Sequence, residues 1–301
     1  MHVSNFFATE PQLTLAARLL ALSGATDAGR VFFANSGTEA NEAAFKLARL
    51  HGGQGRPVIL ALGRGFHGRT MGALALTGKP AMREPFEPMP AGVQHIAPTI
   101  AALEAALTDQ VAALVVEPIQ GEAGVRPLPE GFLERARELT LAHGVLLIVD
   151  EIQTGIARTG AMFGFQHAGI LPDAITLAKG LGGGVPIGAL VALTPAAADL
   201  FAPGMHGTTF GGNPLAAAAA NTVLDVVERD SLVAAANREG QRIRDVVAGL
   251  GSPLVTGVRG SGLLLGVELS QPVAPAVVAA ALAAGLIVNA PDAQTVRLAP
   301  P

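Results

Sequence analysis

Short apolar runs alternate with segments of helical periodicity along the first two thirds of the chain. Residues 10–22 place apolar side chains at helical spacing, and Pro11 falls in the first turn, where proline is well tolerated. The apolar runs are continuous, as is typical of strands buried on both faces of a sheet. Seven such runs are predicted as strands: 30–34, 57–62, 93–97, 111–116, 145–149, 174–178 and 187–193.

This alternation predicts the fold class. Helical segments at 39–50, 99–107 and 131–143 separate several of the strands, and right-handed crossovers join parallel strands in this way. We therefore expect an α/β fold, a three-layer α/β/α domain with a mostly parallel seven-stranded sheet. Ligands of such sheets bind at the carboxyl ends of the strands, so residues placed there are the first candidates for a site.

The pattern of predicted elements changes near residues 225–230. Longer helical segments then alternate with short strands, which predicts a small α+β module. We expect a large domain over residues 1–228 and a small C-terminal domain over 229–301. A helix predicted at 215–227 ends the large domain. The elements predicted for the small domain are helices at 231–250 and 275–284 and strands at 260–269, 286–288 and 295–298.

Composition excludes several classes of protein. A net charge of −4 and a pI of about 6.0 give no basic surface for nucleic acid and no polybasic patch for membranes. The absence of cysteine excludes disulfides, thiolate catalysis and cysteine-ligated metals. No apolar run reaches the ~18 residues of a membrane span. We expect a soluble cytoplasmic protein with small-molecule substrates, no metal, and neither nucleic acid nor membrane as a partner.

Lys179 ends one of the apolar runs. It follows residues 173–178 directly and is followed in turn by a glycine-rich segment at 180–184. Desolvation at such a place lowers the pKa of an amine and makes it a nucleophile. Lys179 is therefore a candidate for forming a Schiff base, and a solvated lysine at a strand end is the alternative.

Other polar groups follow the neighbouring strands. Asp150 comes directly after a buried strand, where an unpaired carboxylate costs several kcal/mol. The turn at 36–38 precedes a helix and suits either a phosphate or ordinary helix capping. Phe66 and Arg69 stand in a glycine-rich loop, where the ring can stack on a planar group and the guanidinium can bind a carboxylate. Acid–base chemistry and loop bracing both remain open for the carboxylates at 117 and 122.

These groups together suit one cofactor. Pyridoxal 5′-phosphate (PLP) needs an amine that binds its aldehyde, a buried carboxylate that keeps its ring nitrogen protonated, and a stacking side chain. Its phosphate suits the first turn of a helix. The sequence therefore predicts a PLP site at the carboxyl ends of the strands.

Several stretches carry a resemblance to a known family. The chain resembles the class III (fold type I) PLP-dependent aminotransferases and, within that class, is similar to the acetylornithine aminotransferases. The resemblance extends from residue 2 to residue 301 and includes 9–12, 206–214 and 296–301. The stretches that carry it most strongly are His-Val-Ser-Asn at 2–5, Asn-Ser-Gly-Thr-Glu-Ala-Asn-Glu at 35–42, Phe-His-Gly-Arg-Thr at 66–70, Val-Glu-Pro-Ile-Gln-Gly-Glu at 116–122, and Asp-Glu-Ile-Gln-Thr-Gly at 150–155 with Lys-Gly at 179–180.

The resemblance implies roles toward the cofactor. Lys179 would be the Schiff-base lysine, and Asp150 would pair with the pyridinium nitrogen. Gly37 and Thr38 would bind the phosphate. The remaining implied cofactor contacts are Phe66 and Ile152 on the two ring faces, Gln153 near the ring hydroxyl, and Thr209 at the phosphate bound by the neighbouring subunit of a homodimer.

The resemblance also implies the substrates. The ω-amine of N2-acetyl-L-ornithine would pass to 2-oxoglutarate, a step of arginine biosynthesis. Arg69 and Thr208 would bind acetylornithine, while Glu122 and Arg297 would form a switching pair that frees Arg297 for the α-carboxylate of glutamate. Alternatives are another class III ω-aminotransferase, acting on ornithine, succinylornithine, 4-aminobutyrate or succinyldiaminopimelate, and a truncated non-catalytic remnant of the fold.

Members of this class usually have a further segment before the stretch at 2–5 and continue past residue 297 into a closing helix. On this resemblance we expect both domains to be shortened. We also expect the chain, expressed alone, to show impaired solubility, dimerisation or activity.

Overall fold

The computed structural model describes residues 1–25 and 27–301, apart from the side chain of Asn5. The helices, in chain order, are α1 (Glu10–Ser23), α2 (Gly37–Gly52), α3 (Met71–Leu76), α4 (Pro80–Arg83), α5 (Ile100–Ala106), α6 (Phe132–His143), α7 (Pro195–Ala198), α8 (Pro214–Arg229), α9 (Leu232–Gly249) and α10 (Ala274–Ala283). Short 3-10 turns occupy Ser4–Phe6, Glu84–Phe86, Gly121–Ala123, Gly164–Ala168 and Lys179–Gly182.

Two larger sheets and one short ribbon contain the strands. The strands are β1 (Arg30–Ala34), β2 (Val58–Leu62), β3 (Val93–Ile96), β4 (Val111–Val116), β5 (Ile119–Gln120), β6 (Arg126–Pro127), β7 (Leu146–Asp150), β8 (Ala174–Leu177), β9 (Gly188–Ala192), β10 (Val255–Ser261), β11 (Leu264–Leu269), β12 (Asn289–Asp292) and β13 (Thr295–Leu298).

The large sheet has seven strands in the order β1-β9-β8-β7-β4-β2-β3. Strand β9 runs antiparallel to both of its neighbours, and all the other neighbouring strands pair in parallel. The prediction of a seven-stranded, mostly parallel sheet is confirmed. Because the parallel strands point the same way, their carboxyl ends meet at one edge, where the polar residues singled out above lie.

Helices cover both faces of this sheet. On one face, α2 packs against β4, β8 and β9 through its small side chains, among them Ala44 and Ala48. On the other face, α1 and α8 contact each other, and Leu15, Leu19 and Leu224 are fully buried there. Burial of each such leucine contributes roughly 1.5–3 kcal/mol. The three-layer α/β/α prediction is confirmed.

The second sheet is antiparallel, in the order β10-β11-β13-β12, and it lies wholly within the C-terminal part of the chain. The predicted division after residue 228 would fall in the last turn of α8. That division stays a prediction.

Two strand predictions in this part are wrong. The run 260–269 is not one strand, since Gly262 (φ +52°) turns the chain between β10 and β11. A Cβ at Gly262 would lie 2.5 Å from the carbonyl carbon of Thr159, so only glycine fits. The strand predicted at 286–288 begins at Asn289 instead, where pairing with Arg297 starts. Ile287 is apolar but 86% exposed, so a strand prediction based on its hydrophobicity began too early in the chain.

Candidate active site

A cavity of about 490 Å³ opens at the carboxyl edge of the large sheet. It lies beside the ends of β7 and β8 and the start of α2. Most of the residues predicted for the site line it. They are Gly37, Thr38, Phe66, Arg69, Glu122, Asp150, Ile152, Gln153 and Lys179.

Lys179 is the one lysine that faces this cavity. The chain has three lysines, and the other two donate hydrogen bonds to backbone: Lys46 Nζ to Met205 O at 2.7 Å and Lys79 Nζ to Glu122 O at 2.7 Å. Within the described residues, the Nζ of Lys179 has no hydrogen-bond or ion-pair partner. Its amine is therefore the one available to a ligand.

The backbone and surroundings of Lys179 are unusual. Its φ of +43° is left-handed, a conformation that costs of order 1–3 kcal/mol outside glycine and that often occurs at functional sites. Desolvation within the cleft lowers the pKa of the Lys179 amine, with a smaller push from Arg297 in the same direction. The carboxylates of Asp150, Glu122 and Glu117 oppose the shift. A lowered pKa raises the fraction of neutral, nucleophilic amine.

Asp150 is the last residue of β7 and is only 3% exposed. Its Oδ2 accepts hydrogen bonds from His67 Nδ1 at 2.7 Å and from Asn41 Nδ2 at 2.8 Å. Its Oδ1 accepts from the backbone N–H of Ile152 at 3.0 Å. Three donors compensate the burial of this carboxylate. The group also lines the cavity, so it can pair with a protonated ring nitrogen there.

His67 and Glu117 line the same cavity as Asp150 and are also buried. Burial alone would lower the pKa of His67, but the hydrogen bond to Asp150 and the charges of Asp150 and Glu117 outweigh it and raise that pKa. Burial raises the pKa of Glu117 to about 7. Its Oε2 accepts a hydrogen bond from the backbone N–H of Phe66 at 2.9 Å.

The start of α2 forms the polar end of the cavity. Ser36 caps the helix by accepting from Glu39 N at 3.3 Å, and residues 37 and 38 follow at the first helical positions. The Oγ1 of Thr38 accepts from the backbone N–H of Arg69 at 3.2 Å and lies 2.8 Å from Thr70 Oγ1. Free N–H groups and the helix dipole favour an anion at this place.

Apolar side chains form the walls. The ring of Phe66 and the side chain of Ile152 both line the cavity. A Cβ at Gly37 would lie 2.8 Å from Cδ1 of Ile152, so glycine is what allows the helix to approach this wall. A flat aromatic ligand fits between a ring and a branched aliphatic side chain.

Two arginines stand at or near the cavity. Arg69 is exposed within it and has no ion-pair partner within residues 1–25 and 27–301. Arg297, on β13, donates from Nη1 to Glu122 Oε1 at 2.6 Å and from Nε to Asn289 Oδ1 at 2.8 Å. It lines a second cavity of about 480 Å³, which shares Lys179 and Glu122 with the first.

Burial alone would raise the pKa of Glu122, but the hydrogen bond to Arg297 and the positive charges of Arg297, Lys179 and Lys79 outweigh it and lower that pKa. The carboxylate is therefore held in its ionised form beside the guanidinium. Gln153 Oε1 lies 3.5 Å from the same Nη1.

The two predicted threonines lie elsewhere. Thr208 Oγ1 accepts from Asn35 Nδ2 at 3.2 Å, and Thr209 is exposed in the loop that precedes α8. Neither belongs to the described residues that line the main cavity. Their roles stay predictions.

No role for His67 or Asn41 follows from the sequence alone, and for Glu117 the sequence leaves catalysis and loop bracing both open. One signal for Asn41 was available, because it is a polar residue on the buried face of α2, beside Ala44 and Ala48. No comparable signal marked His67. Its contact with Asp150 joins residues that are 83 positions apart in the chain.

The residues present fit PLP. The cavity combines a partner-free amine, a buried carboxylate that faces inward, a helix start for the phosphate and two apolar walls. When bound, PLP supplies an electron sink for the reacting carbon of an amino substrate. Fold and site together are those of a PLP-dependent aminotransferase.

Comparison with known proteins agrees with this class. The family model "Aminotransferase class-III" matches residues 1–301, and the chain belongs to that family. It is 54% identical over 301 residues to an acetylornithine aminotransferase of Mycobacterium tuberculosis, covering 100% of this chain and 74% of that protein. It is also 54% identical to one from Streptomyces coelicolor, covering 99% of this chain and 73% of that protein.

Solved structures give the same result. An ornithine aminotransferase from Toxoplasma gondii superposes with a TM-score of 0.92 at 34% identity, covering 100% of this chain and 74% of that one. An N-acetylornithine aminotransferase from Stenotrophomonas maltophilia superposes with a TM-score of 0.84 at 36% identity, covering 99% of this chain and 76% of that one. The predictions of family, fold class and cofactor are confirmed.

None of the helices within residues 1–25 and 27–301 is long and apolar enough to cross a bilayer.

Proposed function

We propose that the protein transfers the ω-amine of N2-acetyl-L-ornithine to 2-oxoglutarate, yielding N-acetylglutamate 5-semialdehyde and glutamate, within arginine biosynthesis. The observation that carries this proposal is identity of 54% over the whole chain to acetylornithine aminotransferases. The geometry supports it, since the amine of Lys179 shares one cavity with Arg69 and a second cavity with Arg297, and each arginine can bind a carboxylate.

The proposed cofactor contacts follow from the cavity. Lys179 would bind the cofactor covalently, and Asp150 would accept a hydrogen bond from its ring nitrogen. The first turn of α2, with Gly37 and Thr38, would bind the phosphate. Phe66 and Ile152 would hold the ring between them.

The proposed substrate contacts use the two arginines differently. Arg69 faces the cavity without an ion-pair partner among the described residues, so it can bind the α-carboxylate of acetylornithine at once. Arg297 is held by Glu122, and the α-carboxylate of glutamate would have to displace that carboxylate. Lys179, when not bound to the cofactor, would move a proton to and from the reacting carbon of the substrate through its Nζ.

A donor panel tests the substrate. The purified protein, loaded with PLP, is offered acetylornithine, ornithine, succinylornithine, 4-aminobutyrate and succinyldiaminopimelate, with 2-oxoglutarate as acceptor. We expect acetylornithine to give the highest kcat/KM. A higher value for another donor would assign the protein to that reaction, and turnover of none would leave a non-catalytic member of the fold.

We also propose a homodimer with shared sites. Exposed apolar side chains gather where residues 1–15 meet the loop before α8, including Phe6 at 86% and Phe210 at 57% exposure. The ring of His2 lies 5.1 Å from that of Phe210. Exposed apolar patches of this kind mark protein interfaces. Thr209 stands next to Phe210, which supports its role at the phosphate of a neighbouring subunit.

Sedimentation analysis tests the dimer. We expect the protein to sediment as a dimer and the change Phe210→Ser to shift it toward monomer. The change Phe86→Ser serves as the control, because its ring is also exposed but lies outside residues 1–15 and the loop before α8. A monomeric protein that still binds PLP would overturn the shared site. The cytoplasmic location stays a prediction.

A further inference from the structure

Three buried ionisable side chains meet at the floor of the main cavity and line it. Asp150, His67 and Glu117 are 3%, 2% and 7% exposed, and each comes from a different strand end. A Cβ at Gly65 would lie 3.2 Å from Nε2 of His67 and 3.3 Å from Oε2 of Glu117, so both groups face the space that this glycine leaves. One imidazolium cannot compensate two buried carboxylates, so the cluster favours a state in which one carboxyl keeps its proton.

The hydrogen bonds decide which carboxyl that is. Asp150 accepts from three donors, His67 Nδ1, Asn41 Nδ2 and the N–H of Ile152. Glu117 accepts from one, the N–H of Phe66. Hydrogen bonds to the charged form favour that form, so the negative charge belongs on Asp150 and the proton on Glu117.

Asn41 supports the same assignment. Its Nδ2 donates to His67 O at 2.6 Å and to Asp150 Oδ2 at 2.8 Å. Its Oδ1 is buried and has no hydrogen-bond partner within the described part of the chain. An unsatisfied buried acceptor costs about 1–3 kcal/mol. The amide is thus oriented for donation to Asp150 even though its own acceptor goes unpaired.

We propose that His67, Asn41 and Glu117 are positioning residues that keep Asp150 as the one charged carboxylate at the floor of the cavity, with Glu117 holding the proton of the cluster. Asp150 then offers a full negative charge to a protonated ring nitrogen. The inference rests on the proposed function only through the cofactor and does not depend on which amine is the substrate.

Other charges also face this cluster. Lys179 lies on the cavity side and favours ionised Glu117. On the far side, His95 of β3 faces His67. Burial, the charge of Arg83 and the charge of His67 all act to lower the pKa of His95. Ionisation of Glu117 therefore adds a second negative charge between His67 and Lys179. That negative charge is predicted to favour the protonated form of both His67 and Lys179.

The first test uses the cofactor-free full chain. The ring signals of ¹⁵N-labelled histidines are followed with pH by NMR, and the His67 signal is assigned by its loss in His67→Asn. Because Glu117→Gln mimics the protonated acid that the proposal assigns, we expect it to shift the midpoint of His67 protonation by less than about 0.2 pH unit. A midpoint lower by about half a pH unit in Glu117→Gln would show that Glu117 is ionised and would overturn the proposal. The change His167→Asn, at a histidine bonded to Thr159, is the control and should leave the His67 midpoint as it was.

The second test uses the PLP-loaded protein without any amino substrate. The visible absorbance of the lysine-bound cofactor is titrated with pH. Glu117→Gln keeps the neutral group that the proposal assigns and should leave the midpoint within about 0.2 pH unit, whereas loss of a positive charge in His67→Asn should raise it by about half a pH unit. A shift confined to the variant that changes a charge cannot come from a general loosening of the site.

A lower midpoint in Glu117→Gln, or no shift in His67→Asn, would contradict the assignment. If His67→Asn does not fold, the presence or absence of a shift in Glu117→Gln decides alone. A donor panel that rejects acetylornithine would leave both titrations unchanged, so failure of the proposed substrate is separable from failure of this inference.

Discussion

Arg297 Nη1 donates a hydrogen bond to Glu122 Oε1 at 2.6 Å, which joins β13 of the small sheet to the 3-10 turn Gly121–Ala123 beside the large one. The two residues are 175 positions apart in the chain. Both side chains are partly buried, with 16% and 33% exposure, so the pair is less screened than a surface ion pair. A guanidinium occupied in this way becomes available to a substrate carboxylate only when that carboxylate replaces Glu122.

This pairing predicts a selective effect of Arg297→Ala. The half-reaction with 2-oxoglutarate should slow at least about tenfold, because one charge-assisted contact contributes roughly 1.5–3 kcal/mol. The half-reaction with the ω-amine donor should change much less. Single-turnover absorbance measurements separate the two, and Arg242→Ala, at an exposed arginine, is the control. Equal losses in both half-reactions would show that Arg297 serves the fold and not one substrate.

Lys179→Ala should abolish covalent attachment of PLP. Borohydride reduction of the loaded protein, followed by peptide mass spectrometry, should place the pyridoxyl group on Lys179 alone. The chain has only two other lysines, and Lys46→Ala and Lys79→Ala provide matched controls. Modification of Lys46 or Lys79 in the unsubstituted protein, or a labelled Lys179→Ala protein, would refute the assignment.

The position of Lys179 and Asp150 at one edge of the sheet could be predicted from the sequence for a physical reason. Each follows a continuous apolar run, and the carboxyl ends of parallel strands share one edge, so their proximity follows from strand order alone. Interactions that depend on side-chain packing could not be predicted from apolar runs and strand order. The contact of His67 with Asp150 needs the fold of the loop after β2, and the turn at Gly262 is set by its approach to Thr159. Local periodicity carries no information on either.

Glu151 provides a stability prediction. It is fully buried and accepts from Thr154 Oγ1, from Gly164 N at 2.8 Å and from Phe165 N at 2.7 Å. The change Glu151→Ala would leave these donors unpaired, at about 1–3 kcal/mol for each group that water cannot reach. We expect the free energy of unfolding, measured in urea, to fall by roughly 3 kcal/mol or more. Glu138→Ala, at an exposed carboxylate, should change it by less than about 0.5 kcal/mol. A small loss at Glu151 would mean that water replaces the carboxylate.

Glu117 predicts how stability depends on pH. Because burial raises its pKa from 4.5 to about 7, the folded protein binds more protons than the unfolded chain between these pH values. Stability contributed by this group is therefore present below pH 4.5 and is lost as the pH rises through 7. The loss is of order 3 kcal/mol at most, since each pH unit corresponds to about 1.4 kcal/mol.

The change Glu117→Gln tests this dependence, because glutamine mimics the protonated acid and can still accept a hydrogen bond from Phe66 N. The urea unfolding free energy of Glu117→Gln should fall less steeply between pH 5 and about 7.5 than that of the unsubstituted protein. Parallel curves for the two proteins would show that Glu117 is already ionised in the folded state at low pH.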